Sequence, residues 1–120
     1  MKQIKSTNPE LLNLIRSLRK KTRESEAKIW SAVADYLSRS KRRRITVNLS
    51  QLNRHTVTGE TVVVPGKVLG AGEINHSLNV VAFAFSEQAR SKILKSKGKC
   101  MSIPELIGKN PKGSGVKIIG

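Results

Sequence analysis

The sequence predicts an α/β fold in which two N-terminal helices lead into a compact body of short strands and helices. Three observations carry this expectation. Apolar residues recur at helical spacing as far as Leu37. The period then shortens to alternation from Ile45. From there to the last residue, strand-like and helix-like segments take turns. The chain of 120 residues fits one domain with a modest core. Within it, residues 1–44 form a helical and basic N-terminal part and residues 45–120 the α/β body.

Thr7-Asn8-Pro9-Glu10 supplies two capping residues, a proline at the first helical position and an acid in the first turn. Leu11, Leu14, Ile15 and Leu18 follow at helical spacing. Arg19, Lys20, Lys21 and Arg23 close the helix, where cations favour the negative end of its dipole. A second helix starts near Ser25, with Ile29, Trp30, Val33, Ala34 and Leu37 as its stripe; Trp30 reads as a packing residue rather than a base-stacking platform. Residues 38–40 break the pattern ahead of Lys41-Arg42-Arg43-Arg44.

Ile45, Val47 and Leu49 alternate with Thr46, Asn48 and Ser50 as a half-buried strand, and residues 50–55 form a short helical turn. Thr58-Gly59 marks a turn. Residues 61–64 make a β-branched strand that Pro65-Gly66 stops, before Lys67-Val68-Leu69 and Gly70-Ala71-Gly72. Residues 78–85 form a further apolar strand. Ser86 caps a helix carrying Ala89, Ile93 and Leu94. Ser102-Ile103-Pro104-Glu105 fits a capping box that opens a short helix through Ile107. After Asn110-Pro111-Lys112-Gly113-Ser114-Gly115, residues 116–119 make the last strand.

The chain carries 23 Lys plus Arg against 8 Asp plus Glu, a net charge of +15. Like charge on that scale opposes compaction unless a polyanion neutralises it, and nucleic acid is the polyanion that rewards each phosphate contact with released counterions. A membrane surface is the rival, but no apolar run approaches a bilayer span and residues 1–10 hold no apolar signal segment. Aromatic residues are only 3%, so Val, Ile, Leu and Ala must build the core. The single cysteine, Cys100, excludes an internal disulfide and suits a reducing, cytoplasmic setting. With no His or Asp beside it in sequence, it reads as a small, partly buried residue.

Four segments concentrate the cations. Lys41, Arg42, Arg43 and Arg44 cannot all pair with so few acids, and in an extended chain they can straddle phosphates. Arg16, Arg19, Lys20 and Arg23 share one helical face, with Lys21 beside them. Lys92, Lys95, Lys97 and Lys99 form a third stretch, of which Lys97 and Lys99 are the expected contacts. Lys112 and Lys117, with the glycines between them, form the fourth. Arg54, His55 and Lys67 stand in polar, turn-like stretches and are read as further RNA contacts.

Other chemistries lack their residues. Gly70-Ala71-Gly72 has Asn75 where a dinucleotide fingerprint needs glycine, and a strand rather than a helix follows. Gly66-Lys67 is followed by Val68, which ends no phosphate-binding loop. His55 and His76 have no carboxylate placed to orient them as an acid–base pair, and one cysteine with two distant histidines makes no zinc site. No catalytic residue, metal, cofactor or small-molecule substrate is expected.

A resemblance runs through the chain. Asn8-Pro9-Glu10-Leu11, Ile29-Trp30, Arg42-Arg43-Arg44, Val47-Asn48-Leu49-Ser50 and Leu52-Asn53-Arg54 occur in order. Val62-Val63-Val64-Pro65-Gly66-Lys67-Val68-Leu69-Gly70, Phe85-Ser86-Glu87-Gln88-Ala89 and Asn110-Pro111-Lys112-Gly113-Ser114-Gly115-Val116 follow. Together they resemble the large-subunit ribosomal protein eighteen family of archaea and eukaryotes, itself related to bacterial large-subunit protein fifteen. The short length resembles the archaeal form. The resemblance implies an irregular superhelical arrangement of the short elements, tight binding to large-subunit ribosomal RNA, neighbouring large-subunit ribosomal proteins as further partners, and no enzymatic activity. The alternative is a free-standing regulatory or architectural nucleic-acid binder, although the 41–44 run interrupts the place where a recognition helix would stand. An RNA-processing enzyme lacks its catalytic cluster.

Overall fold

The computed structural model describes residues 9–25, 27–39 and 45–120. Helix α1 spans Pro9–Ser25, with Pro9 and Glu10 in its first turn as the residue types predict. The Thr7-Asn8 cap lies outside the described residues. Leu11, Leu14, Ile15 and Leu18 form the buried face of α1. Helix α2, Lys28–Leu37, buries Trp30, Val33, Ala34 and Leu37. It starts three residues later than expected, because nothing in Arg19–Arg23 breaks a helix and α1 continues to Ser25.

The body adds β1 (Ile45–Asn48), α3 (Leu49–Arg54), β2 (Thr61–Leu69), β3 (Asn79–Phe85), α4 (Glu87–Lys95), β4 (Lys99–Ser102), α5 (Ile103–Lys109) and β5 (Val116–Ile118). The expected mixed α/β class is what the structure has. The strands form one sheet in the order β1-β2-β3-β4, with β5 also on β2. Every pairing is parallel. Strand β2 meets β3 along one edge. Its other edge pairs Thr61, Val62 and Val63 with β5, then Gly66 to Leu69 with β1.

Alternation along the strands sends side chains to two cores. Val63 and Val81 join α1, α2 and α5 on one face, in a cluster with Leu14, Trp30, Leu37, Ile103 and Leu106. Val62, Val64, Val68, Val80 and Ala82 meet α3 and α4 on the other, with Leu49, Leu52, Ala89 and Ile93. Each fully buried Val, Leu or Ile contributes roughly 1.5–3 kcal/mol relative to exposure. The near absence of aromatic residues is thus met by many small aliphatic contacts on both sheet faces.

Three sequence expectations change. The strand at residues 61–64 does not stop at Pro65-Gly66 but runs on to Leu69. The register against β3 slips there by one residue, between Val64 and Lys67, so the bulge accommodates the proline without ending the strand. At Gly66 a Cβ would overlap the Ile45 carbonyl, so this position must be glycine for β1 to come alongside. Leu49 is the first residue of α3 rather than the end of β1. Strand β4 was not expected at all: Lys-Cys-Met-Ser has no β-branched residue, and only pairing with β3 makes it a strand.

Val63 and Val81 are fully buried. Val63→Asp or Val81→Asp places an unpaired charge in that core, with an expected loss of several kcal/mol. Thermal melting of the free protein checks this; an unchanged melting temperature in both variants would overturn the core assignment.

Candidate nucleic-acid interface

Helix α1 carries Arg16, Lys20 and Arg23 exposed on the face that their three- and four-residue spacing predicts. Arg19, on the same face, is half-buried against α2. Its Nη2 donates to Asp35 Oδ1 and to Ser38 Oγ, each at 3.3 Å. Lys20 Nζ lies 3.8 Å from Glu24, an exposed pair that contributes little. Lys21 is half-buried on the same helix. Lys41, Arg42, Arg43 and Arg44 lie outside the described residues.

Helix α3 opens with a capping box that the sequence reading missed. The Asn48 side chain accepts from the Gln51 backbone, and Gln51 Oε1 accepts from the Asn48 N–H at 3.1 Å. The Asn-x-x-Gln spacing ahead of Leu52 was the available signal. The box fixes α3 so that it ends at Arg54, with His55 as its C-cap, both exposed. Lys117, on β5, donates from Nζ to the His55 carbonyl at 2.7 Å. A helix C-terminus presents unpaired carbonyls and partial negative charge, so the ammonium is well placed there. The structure therefore brings Lys117 to the Arg54-His55 end of α3, across 62 positions of sequence.

The third stretch divides. Lys92 is drawn inward: its Nζ donates to the Gly70 and Gly72 carbonyls at 3.0 and 2.8 Å and lies 3.3 Å from Glu73 Oε1. It staples the 70–73 segment, part of a parallel β2–β3 connection that contains no helix. Lys97 is exposed and sits at φ +63°, just past α4. Its N–H donates to Leu94 O at 3.0 Å, and that of Gly98 to Ile93 O at 3.0 Å, which is a Schellman ending with lysine where glycine is usual. Lys99 opens β4, exposed. Lys67 follows the β2 bulge, exposed between Thr46 of β1 and Ala84 of β3. Lys112 is exposed in the loop between α5 and β5.

Two cations were missed. The Arg39 guanidinium stands 4.3 Å from the Tyr36 ring centre, and that of Arg90 5.1 Å from the Phe85 ring centre. The i,i+3 spacing of Tyr36 and Arg39 was legible; Phe85 and Arg90 meet only because α4 turns back over the end of β3. Burial pushes the Cys100 thiol up, and the Arg90 charge opposes it. His76 Nε2 lies 2.8 Å from Thr56 Oγ1, whose own proton goes to Leu52 O at 2.6 Å. The histidine must therefore donate from Nε2. His55 is on the surface at the end of α3, and no contact joins the two histidines among the described residues.

Acid partners are scarce. Arg16, Arg23, Arg54, Lys67, Lys97, Lys99 and Lys112 have no ion pair among the described residues. No helix among those residues is long and apolar enough to cross a membrane. An α/β body clothed in unneutralised cations has the build of a polyanion-binding protein. The family profile described as "Ribosomal protein 60S L18 and 50S L18e" matches residues 1–120, and the chain belongs to that family. It is 50% identical to the large ribosomal subunit protein eL18 of Methanoregula boonei, over 97% of this chain and 96% of the relative. The protein of the same name from Methanosphaerula palustris is 49% identical, over 98% and 97% of the two chains. That of Methanothermobacter thermautotrophicus is 46% identical, over 99% and 98%.

Lys92→Met keeps the aliphatic stem and deletes the ammonium. Its expected effect is a loss on the order of 1 kcal/mol in unfolding free energy. An unchanged urea midpoint would show that the staple contributes nothing. Lys97→Gly removes the strain of a side chain at positive φ and should stabilise by about 1 kcal/mol; a lowered midpoint would contradict the Schellman reading.

Proposed function

We propose that the chain is a structural constituent of the large ribosomal subunit that binds and stabilises folded large-subunit ribosomal RNA, acting as one domain over residues 1–120. The single observation that carries the mechanism is the set of exposed cations without acid partners among the described residues, spread over α1, the end of α3, β2, the α4–β4 junction and the α5–β5 loop. Family membership supports the assignment to the ribosome. Neighbouring ribosomal proteins are the second class of partner.

Binding rests on neutralisation and shape. Each cation at a phosphate releases condensed counterions, and a rigid body fixes where those cations lie. Folded RNA presents phosphates and 2′-hydroxyls on a surface of defined shape, so a fixed array of cations can select it without reading base edges. The expected contacts are Arg16, Arg19, Lys20, Lys21 and Arg23 on α1, the 41–44 run, Arg54 and His55, Lys67, Lys97 and Lys99, and Lys112 and Lys117. Within that set, Arg19 and Lys20 face Asp35 and Glu24, which offset part of their charge, whereas Lys117 is held by a backbone carbonyl and keeps its charge in the field.

Changing Arg42, Arg43 and Arg44 together to Ala should leave circular dichroism and melting near wild type. It should weaken binding to large-subunit ribosomal RNA and impair incorporation into subunits. The log–log salt slope should fall by about one for each phosphate that is no longer neutralised. A folded variant with wild-type affinity and slope would make the run a solvated segment.

A further inference from the structure

The loop that joins α5 to β5 is not a loose basic connection. Asn110, Pro111, Lys112 and Gly113 form a tight turn in which the Gly113 N–H donates to Asn110 O at 3.0 Å. The Asn110 side chain holds the far side: Nδ2 donates to Ser114 O at 2.8 Å, and Oδ1 accepts from the Ser114 N–H at 3.3 Å. Gly113 has φ +67°, and a Cβ there would overlap Ile29 Cγ2, so the loop is seated directly on α2.

The remaining anchor is Trp30. Its ring is fully buried in the core shared by α1, α2 and the sheet. Yet its one polar atom reaches out of that core, and Nε1 donates to the Pro111 carbonyl at 2.6 Å. A buried indole N–H needs a partner, and here the partner is the residue before Lys112. Lys112 itself is exposed, has no ion pair among the described residues, and no acid occurs anywhere from residue 106 to the last residue.

We infer that residues 110–115 are a preformed receptor for a backbone phosphate of large-subunit ribosomal RNA, in which Lys112 makes the contact and Trp30 is a positioning residue. The inference rests on the reading of Lys112 as an RNA contact. It adds that the contact depends on a loop ordered before binding. A flexible loop would lose conformational freedom on meeting the RNA; this one has already been ordered by folding, through hydrogen bonds to Asn110 and Trp30. Of the two glycines at positive φ, Gly113 lets the loop sit against Ile29, and Gly115, where a Cβ would meet open space, leaves bare backbone at the surface.

The test is a double-mutant cycle on the full chain, read as affinity for a transcript of the source organism's large-subunit ribosomal RNA across a salt series. Lys112→Ala should weaken binding roughly three- to tenfold and lower the salt slope by about one. Trp30→Phe keeps most of the ring and deletes the N–H. It should weaken binding by a similar factor in the wild-type background and by nothing further in the Lys112→Ala background. Amide exchange at Gly113 and Ser114 should speed up in Trp30→Phe while sheet amides stay protected. Asn110→Ala removes the loop's side-chain bonds without touching the core. It should repeat the non-additive pattern, and it decides the matter if Trp30→Phe does not fold. If Lys112→Ala binds as wild type does, the RNA-contact reading of Lys112 fails and the receptor with it. If Lys112→Ala weakens binding but the folded Trp30 and Asn110 variants bind normally, or their effects simply add, the contact stands and the positioning role is overturned.

Discussion

The edge of β2 away from β3 is occupied twice, by β5 at its beginning and by β1 at its end. One nine-residue strand thus organises three neighbours and separates two cores. Gly66 is what lets β1 approach, because any side chain there would collide with the Ile45 carbonyl. The bulge at the same point lets Pro65 sit inside the strand. Past it, Lys67 is exposed while Val68 lies in the same core as Val62 and Val64.

Charge sets the second constraint. A net +15 on 120 residues resists compaction, and few aromatic residues are present to oppose it. The opposing term is burial spread over two sheet faces, with Leu11, Ile15, Leu18, Leu37, Leu49, Leu52 and Ile93 all fully or almost fully buried. The helices α1 and α2 are part of that burial rather than an appendage to it: their apolar stripes share one cluster with Val63 and Val81. This is why the basic stripe of α1 is held at a fixed angle to the cations of the body. A rigid array matters for binding folded RNA, because the phosphates of such RNA are themselves fixed.

The class of fold was legible because the hydrophobic period changes cleanly at Ile45, and because Pro9, Ser86 and Ser102 announce helix starts by chemistry that acts locally. What escaped the reading depends on partners distant in sequence. Strand β4 has no local reason to be extended and exists through β3. Pro65-Gly66 looks like a stop until β1 and β3 are placed on either side. The cationic segments could be named from residue type alone. Sequence could not tell which cations the fold uses for itself: Lys92 and Lys117 find carbonyls 20 and 62 positions away. Nor could it show that Trp30, a plain core residue by its spacing, holds the carbonyl next to Lys112.

With only 8 acids in the chain, the cations that need partners cannot all find carboxylates. Apart from Glu73 beside Lys92, the lysines that serve the fold turn to backbone oxygens, at the end of α3 and in the 70–73 segment. The difference is electrostatic. A carboxylate partner cancels the charge it binds, whereas a carbonyl satisfies the ammonium's hydrogen bonds and leaves its full positive charge in the field. Lys117 can therefore fasten β5 to α3 and still keep its positive charge in the field. A short basic chain can in this way draw its internal staples from the same residue type that gives it affinity for RNA, without spending acids to make a structure and thereby weakening the field that the structure is there to hold in place.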